Sequence, residues 1–153
     1  MAPRGVSSGG NDLSFAGNAG WRAYTVDASV LANSSAVNSG IALVARAQVA
    51  SHFYQAEFKR TGTGFEWTVS KNNGGAWSVL ANGLFSWPSG AGSYANIRFA
   101  VRGETLTMGV YQAGGTWQTL GTGHDQQYVT GKLGARTWGG MTGSFDIVHA
   151  YAG

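Results

Sequence analysis

Phe53-Tyr54-Gln55-Ala56-Glu57-Phe58-Lys59-Arg60 decides how this chain folds, read together with Gly40-Ile41-Ala42-Leu43-Val44-Ala45-Arg46-Ala47-Gln48 just before it. In the first segment Tyr54, Ala56 and Phe58 fall on one side, and Gln55, Glu57 and Lys59 on the other. Strict period-two alternation is the pattern of a half-buried strand. The second segment is nearly all apolar, as expected of a strand in the middle of a sheet. The pair predicts a sheet with a packed inner face and a polar outer one, and function is expected on the polar face.

The same period extends in both directions. Tyr24, Val26, Ala28 and Val30 alternate with Thr25, Asp27 and Ser29, and Phe65, Trp67 and Val69 alternate with Glu66, Thr68 and Ser70. Asn72-Asn73-Gly74-Gly75 supplies residues that tolerate positive φ, a strong hairpin signal. A second hairpin joins Tyr94–Arg102 to Thr105–Gln112 across Gly103-Glu104, with Ala95, Ile97, Phe99 and Val101 facing inward. Leu13-Ser14-Phe15 reads as a short first strand, and 132–138 and 144–151 as the closing ones. The stretch Gly83–Pro88 reads as irregular loop or edge, and 121–130 as a long polar connection. About ten strands and no significant helix predict an all-β fold, a two-sheet antiparallel β-sandwich or jelly roll. A single domain over 13–153 is expected behind a flexible or docking N-terminal arm over 1–12.

Composition narrows the function. The 153 residues are 43% hydrophobic and 11% charged, too apolar for disorder. Six Trp, six Tyr and seven Phe exceed the ordinary needs of so small a core, so several rings are expected to be either core pillars or a binding surface. The net charge of +3 comes from scattered side chains, without the basic cluster that nucleic acid requires. There is no cysteine, so disulfides and thiolate-bound metals are excluded. No apolar run has the length of a membrane span, and no secretory h-region follows Met1-Ala2-Pro3-Arg4-Gly5. The expectation is either a piece of a larger secreted protein or a protein that leaves its cell without a signal, as virion proteins do. Either route ends outside the cell or on a virion surface.

Catalysis finds little support. The three glutamates are isolated along the sequence, and no E-x-D or D-x-E pair offers the two carboxyls of a glycosidase. Neither a nucleophile elbow nor a P-loop is present. His124-Asp125 could form an acid–base or metal pair, with a solvated loop as the bland alternative. No cofactor is indicated, although Asp27 and Asp146 are candidates for a calcium site; a salt link to a strand arginine is their competing fate.

The polar face offers more. Arg46, Gln48, Gln55, Glu57, Arg98, Arg136 and Trp138 are expected to share one side of a sheet, with Lys59 and Asn96 among them. Amide and guanidinium groups beside an indole suit sugar recognition, the ring taking C–H groups and the planar groups taking hydroxyls. The bland reading is a solvated face with cross-strand ion pairs such as Glu57–Arg46.

The order of several motifs adds a resemblance. Trp21-x-x-Tyr24-Thr25-Val26-Asp27-Ala28, Gly40-Ile41-Ala42-Leu43-Val44-Ala45-Arg46 and Phe53-Tyr54-x-Ala56-Glu57-Phe58 resemble laminin-G-like domains of the concanavalin A-like lectin/glucanase superfamily. Phe99-x-Val101-Arg102-Gly103, Gly134-Ala135-Arg136-x-Trp138-Gly139 and Phe145-Asp146-x-Val148 are similar to the closing half of such domains. The resemblance implies a jelly roll whose concave sheet often binds glycans, sometimes with calcium nearby. It carries no enzymatic implication, because the glucanases' carboxylate motif is missing. Val49-Ala50-Ser51-His52 also replaces the family's polar turn. The expected function is a non-catalytic module recognising a glycan through one polar sheet face. The alternative is a structural virion subunit, a capsid decoration or fibre protein whose arm grips neighbouring subunits in a homo-oligomer.

Overall fold

A computed structural model describes residues 12–32, 37–62, 64–87, 94–111, 115–139, 141 and 143–152, leaving out the side chains of 12, 32, 143, 144 and 146–148. The expected N-terminal arm thus lies outside the described residues, apart from Asp12, which opens the first strand. Eleven strands are present among the described residues: β1 (Asp12–Ala16), β2 (Tyr24–Ala32), β3 (Ser39–Val49), β4 (His52–Arg60), β5 (Phe65–Asn73), β6 (Ala76–Phe85), β7 (Ala95–Arg102), β8 (Thr105–Tyr111), β9 (Trp117–His124), β10 (Lys132–Trp138) and β11 (Gly143–Ala152). They form a six-stranded sheet in the order β1-β10-β3-β4-β5-β6 and a five-stranded sheet in the order β11-β2-β7-β8-β9. Every pairing is antiparallel, and no described residue is helical. The chain is the expected two-sheet β-sandwich.

Alternation sorts the core from the surface as the sequence implies. Tyr54, Ala56 and Phe58 of β4 meet Ile97, Phe99 and Val101 of β7 in one hydrophobic cluster, each of them almost wholly excluded from water. Leu106, Met108 and Val110 line it from β8. Gly74 and Gly75, at φ of 65° and 94°, close the β5–β6 hairpin with the left-handed conformations that such two-residue turns demand.

Two stretches depart from expectation. β6 continues through Gly83 to Phe85 instead of dissolving into a loop, although it is, as read, an edge strand. β9 runs to His124, so the polar connection is shorter than expected. Both carry glycines for a steric reason. The Trp67 indole lies between these strands, and a Cβ on Gly121 would sit 2.2 Å from its ring, one on Gly83 2.5 Å.

The largest departure is Arg46. It adopts φ of 50° at a bulge where β3 slips against both neighbours, and this turns its side chain off the polar face. The guanidinium is buried at the end of the sandwich. It donates from Nε and Nη2 to the carbonyl of Arg22 (3.0 and 2.9 Å), and from Nη1 to those of Gly103 (2.6 Å) and Tyr128 (3.2 Å). Its own N–H donates to the Tyr24 hydroxyl at 2.7 Å, whose pKa burial pushes up to about 12. Arg46 is thus a structural clamp on three segments of chain.

Phe99 is wholly buried, so Phe99→Ala should cost about 3–5 kcal/mol. The neighbouring Arg98→Ala, on the opposite face, should cost about 1 kcal/mol. Denaturant melts measure both; equal losses would contradict the assignment of faces.

Candidate functional site

Small residues on β3 make room for large ones beside it. Ala42 lies between Arg136 of β10 and Glu57 of β4, and Gly40 lies between Trp138 and Lys59. A Cβ on Gly40 would come 2.3 Å from Trp138 Nε1 and 3.1 Å from a Glu57 carboxylate oxygen. The missing side chain therefore lets the indole lie across β3 and donate to Glu57 Oε2 at 2.6 Å.

The same oxygen accepts from Gln55 Nε2 at 2.8 Å, and Gln55 Oε1 accepts from Arg136 Nη1 at 3.1 Å. Gln55 and Glu57 are buried although they lie on the outer face. Burial pushes the Glu57 carboxyl above its ordinary pKa, against the opposing pull of the Trp138 hydrogen bond, the Arg136 charge, Gln55 and Lys59. The Arg136 guanidinium is lowered by burial and supported by Glu57. It lies 5.0 Å from the ring centre of Trp77 and 5.9 Å from that of Trp138, so it stands between two indoles.

These groups form the floor and one wall of an open depression of about 290 Å³ on the outer face of the six-stranded sheet. Glu66, Thr68 and Ser70 of β5 extend the floor, and Trp77 and Val79 of β6 make the far wall. Trp77 is 44% exposed and braced edge-on by Phe53. Polar groups held in fixed planes between aromatic walls can grip a ligand rich in hydroxyls with little ordering cost.

Of the residues expected on the polar face, Gln55, Glu57, Arg136 and Trp138 come together here, with Lys59. Arg46 does not, being the clamp described above, and no Glu57–Arg46 ion pair forms. Gln48 follows the bulge and spends its amide on the carbonyls of Thr130 and Arg46. Arg98 and Asn96 belong to the other sheet. Arg98 grips Asp27 with Nε–Oδ1 at 2.7 Å and Nη2–Oδ2 at 2.8 Å. That pairing takes both oxygens of the Asp27 calcium candidate, whereas the Asp146 side chain lies outside the described residues. Among the described residues no group of three His, Asp or Glu could hold a metal.

Trp77 is a further site residue, one that the hairpin register implies. Counting back from Gly74-Gly75 pairs Trp77 with Asn72, on the face of Ser70 and Thr68. Glu66, isolated along the sequence, faces Lys59 across the strands and so stands diagonal to Glu57 in the same depression.

Asp125 accepts from the Tyr54 hydroxyl (2.5 Å), Lys71 Nζ (2.7 Å) and the Gln127 N–H (2.9 Å), so it ties β4 and β5 to the loop after β9. Burial pushes its carboxyl up, but these donors outweigh it and hold the pKa below the ordinary value. His124 is exposed at the end of β9.

No protein-family model matches this chain, and no curated protein matches it in sequence. Solved structures do share the fold. The carbohydrate-binding module CBM66 from Bacillus subtilis superposes with a TM-score of 0.75 at 16% identity, over 99% of this chain and 92% of that one. CG-16, a homodimeric agglutinin from chicken liver, gives 0.62 at 9% identity, over 92% and 99%. The GH43 protein BlXynB from Bacillus licheniformis gives 0.64 at 14% identity, over 87% of this chain but 28% of that one. The fold of this chain is therefore one shared with carbohydrate-binding modules and a lectin.

Two substitutions probe the geometry. Gly40→Ala should push the indole off Glu57 and cost about 1–3 kcal/mol, read as a red shift in tryptophan emission and a lower melting temperature. Asp125→Asn should cost about 1–3 kcal/mol at neutral pH. Because the native carboxyl is depressed, this contribution is full above the ordinary carboxylate range and lost as pH falls through the native value. Melts of both proteins against pH should therefore converge in acid; a constant gap would contradict the role of the ionised carboxylate.

Proposed function

We propose that the protein is a non-catalytic glycan-binding module, and that the depression between Trp77 and Trp138 is its binding site. The observation that carries this reading is the buried array of Glu57, Gln55 and Arg136 fixed between two indoles. In water each of these groups would be satisfied by solvent. Here they are linked to one another and presented as one rigid surface, with Glu57 positioning Trp138 and Gln55, and Gln55 steering Arg136. A sugar ring laid against the indoles would meet the Arg136 guanidinium at its hydroxyls, with Gln55 and Glu57 buried behind it as its support. The fold shared with CBM66 and CG-16 adds support, at identities where fold alone is comparable.

Glu57 and Glu66 meet in one depression, which raises the question of hydrolysis. Glu57 Oε2 already accepts two N–H groups, an arrangement that fixes neighbouring side chains, and we assign it that positioning role. Kinship with laminin-G-like domains, and display outside the cell, are the finer form of the same proposal. The alternative of a virion subunit rests on the missing secretory signal, the small size and an arm that lies outside the described residues, and neither CBM66 nor CG-16 adds support to it.

A glycan array and isothermal titration test the site. Trp138→Ala and Trp77→Ala should each weaken binding at least about tenfold, and Trp77→Ala should lower the melting temperature less than Trp138→Ala, because the Trp77 ring is the more exposed. Undiminished binding in both variants would reject the site. Reducing-sugar assays on the same glycans should show no release above background; release that disappears in Glu57→Gln would make the protein a hydrolase instead.

A further inference from the structure

The outer face of the five-stranded sheet repeats the chemistry of the first site without sharing any of its residues. Across this sheet Asp27 on β2 faces Arg98 on β7, and Arg98 faces Gly109 on β8. The Arg98 guanidinium is fixed by both oxygens of Asp27 and lies 4.0 Å from the ring centre of Trp117 on β9. On its other side is the ring of Tyr151 on β11, at 5.9 Å, whose hydroxyl donates to Asp27 Oδ2 at 3.0 Å. Tyr111 packs edge-on to Trp117. A cross-strand ion pair needs no aromatic partners, yet Tyr111 and Tyr151 stand at the two ends of this row 41% and 44% exposed. Around the row the face is built of short hydroxyl and amide groups, such as the Ser29–Asn96 and Thr107–Thr122 pairs.

We propose that this face is a second carbohydrate platform, in which Trp117 and Tyr151 stack sugar rings on either side of the Arg98–Asp27 pair. It rests on the reading of the chain as a glycan-binding module. The partner is a neutral sugar polymer. Asp27 cancels the charge of Arg98 between the two stacking rings, so an anionic ligand is disfavoured there, and the one further arginine on the described part of this face, Arg102, lies beyond Tyr151 against Thr25. The two platforms are the outer faces of opposite sheets, so one molecule can engage two sugar chains at once. Binding both would raise avidity for dense polysaccharide above that of either face alone.

The test uses neutral gluco-, xylo-, manno- and fructo-oligosaccharides as probes, titrated into the isotope-labelled protein while indole N–H resonances are followed. With a binding probe, the Trp117 and Trp138 signals should move with separate midpoints, and calorimetry should count two ligands per chain. Trp117→Ala should reduce the count to one while Trp138 still responds. Tyr151→Ala, an exposed change, gives the same readout if the first variant melts early. One ligand per chain, with only Trp138 moving, overturns the second platform and leaves the first site intact. Movement of Trp117 alone supports the second platform and removes the first. No movement of either indole with any probe overturns both.

Discussion

A carboxylate taken out of water must find partners, and in this protein Glu57 sets the arrangement of everything around it. Unpaired burial of a charge costs far more than a small domain can lose. The Trp138 indole and the Gln55 amide supply the hydrogen bonds, and Arg136 supplies the balancing charge. Each partner comes from a strand that β3 separates or joins, so the absence of a side chain at Gly40 is as necessary as the presence of the others. The site is consequently stiff. Its polar atoms are aimed by one another before any ligand arrives, which is where a binding protein saves the ordering cost.

The sandwich holds this sheet in place from the far end. Arg46 gathers carbonyls from the entry to β2, the β7–β8 turn and the loop before β10, and so fixes the ends of both sheets together. Asp125 does comparable work beside it, through Tyr54 and Lys71. Charged side chains thus serve two purposes here. Those at the sandwich end satisfy buried backbone and phenol groups; Arg136 and Arg98, on the two outer faces, stand between aromatic rings.

The strands and their faces were legible because alternation follows directly from the two-residue repeat of β-structure. Tyr54, Ala56 and Phe58 inward, and Gln55 and Glu57 outward, needed nothing else. The place of Arg46 was not legible, because a single left-handed residue inverts the alternation and Ala45-Arg46-Ala47 gives no sign of one. The place of Arg98 was hidden for a different reason. Alternation says which face of its own sheet a residue occupies, and says nothing of which sheet that is. The glycines Gly83 and Gly121 disguised the far ends of β6 and β9 as loop, because glycine usually weakens a strand. Here they make room for Trp67, a long-range contact that no local pattern records. Trp77 was within reach of the hairpin register and completes the wall that Trp138 begins.

Crystals of the protein soaked with the strongest ligand from a glycan array would test the central claim most directly. The account predicts sugar density in the depression of the six-stranded sheet, against Trp77 and Trp138, with hydroxyls within hydrogen-bonding distance of Arg136. An empty depression in crystals that hold the sugar elsewhere would contradict it.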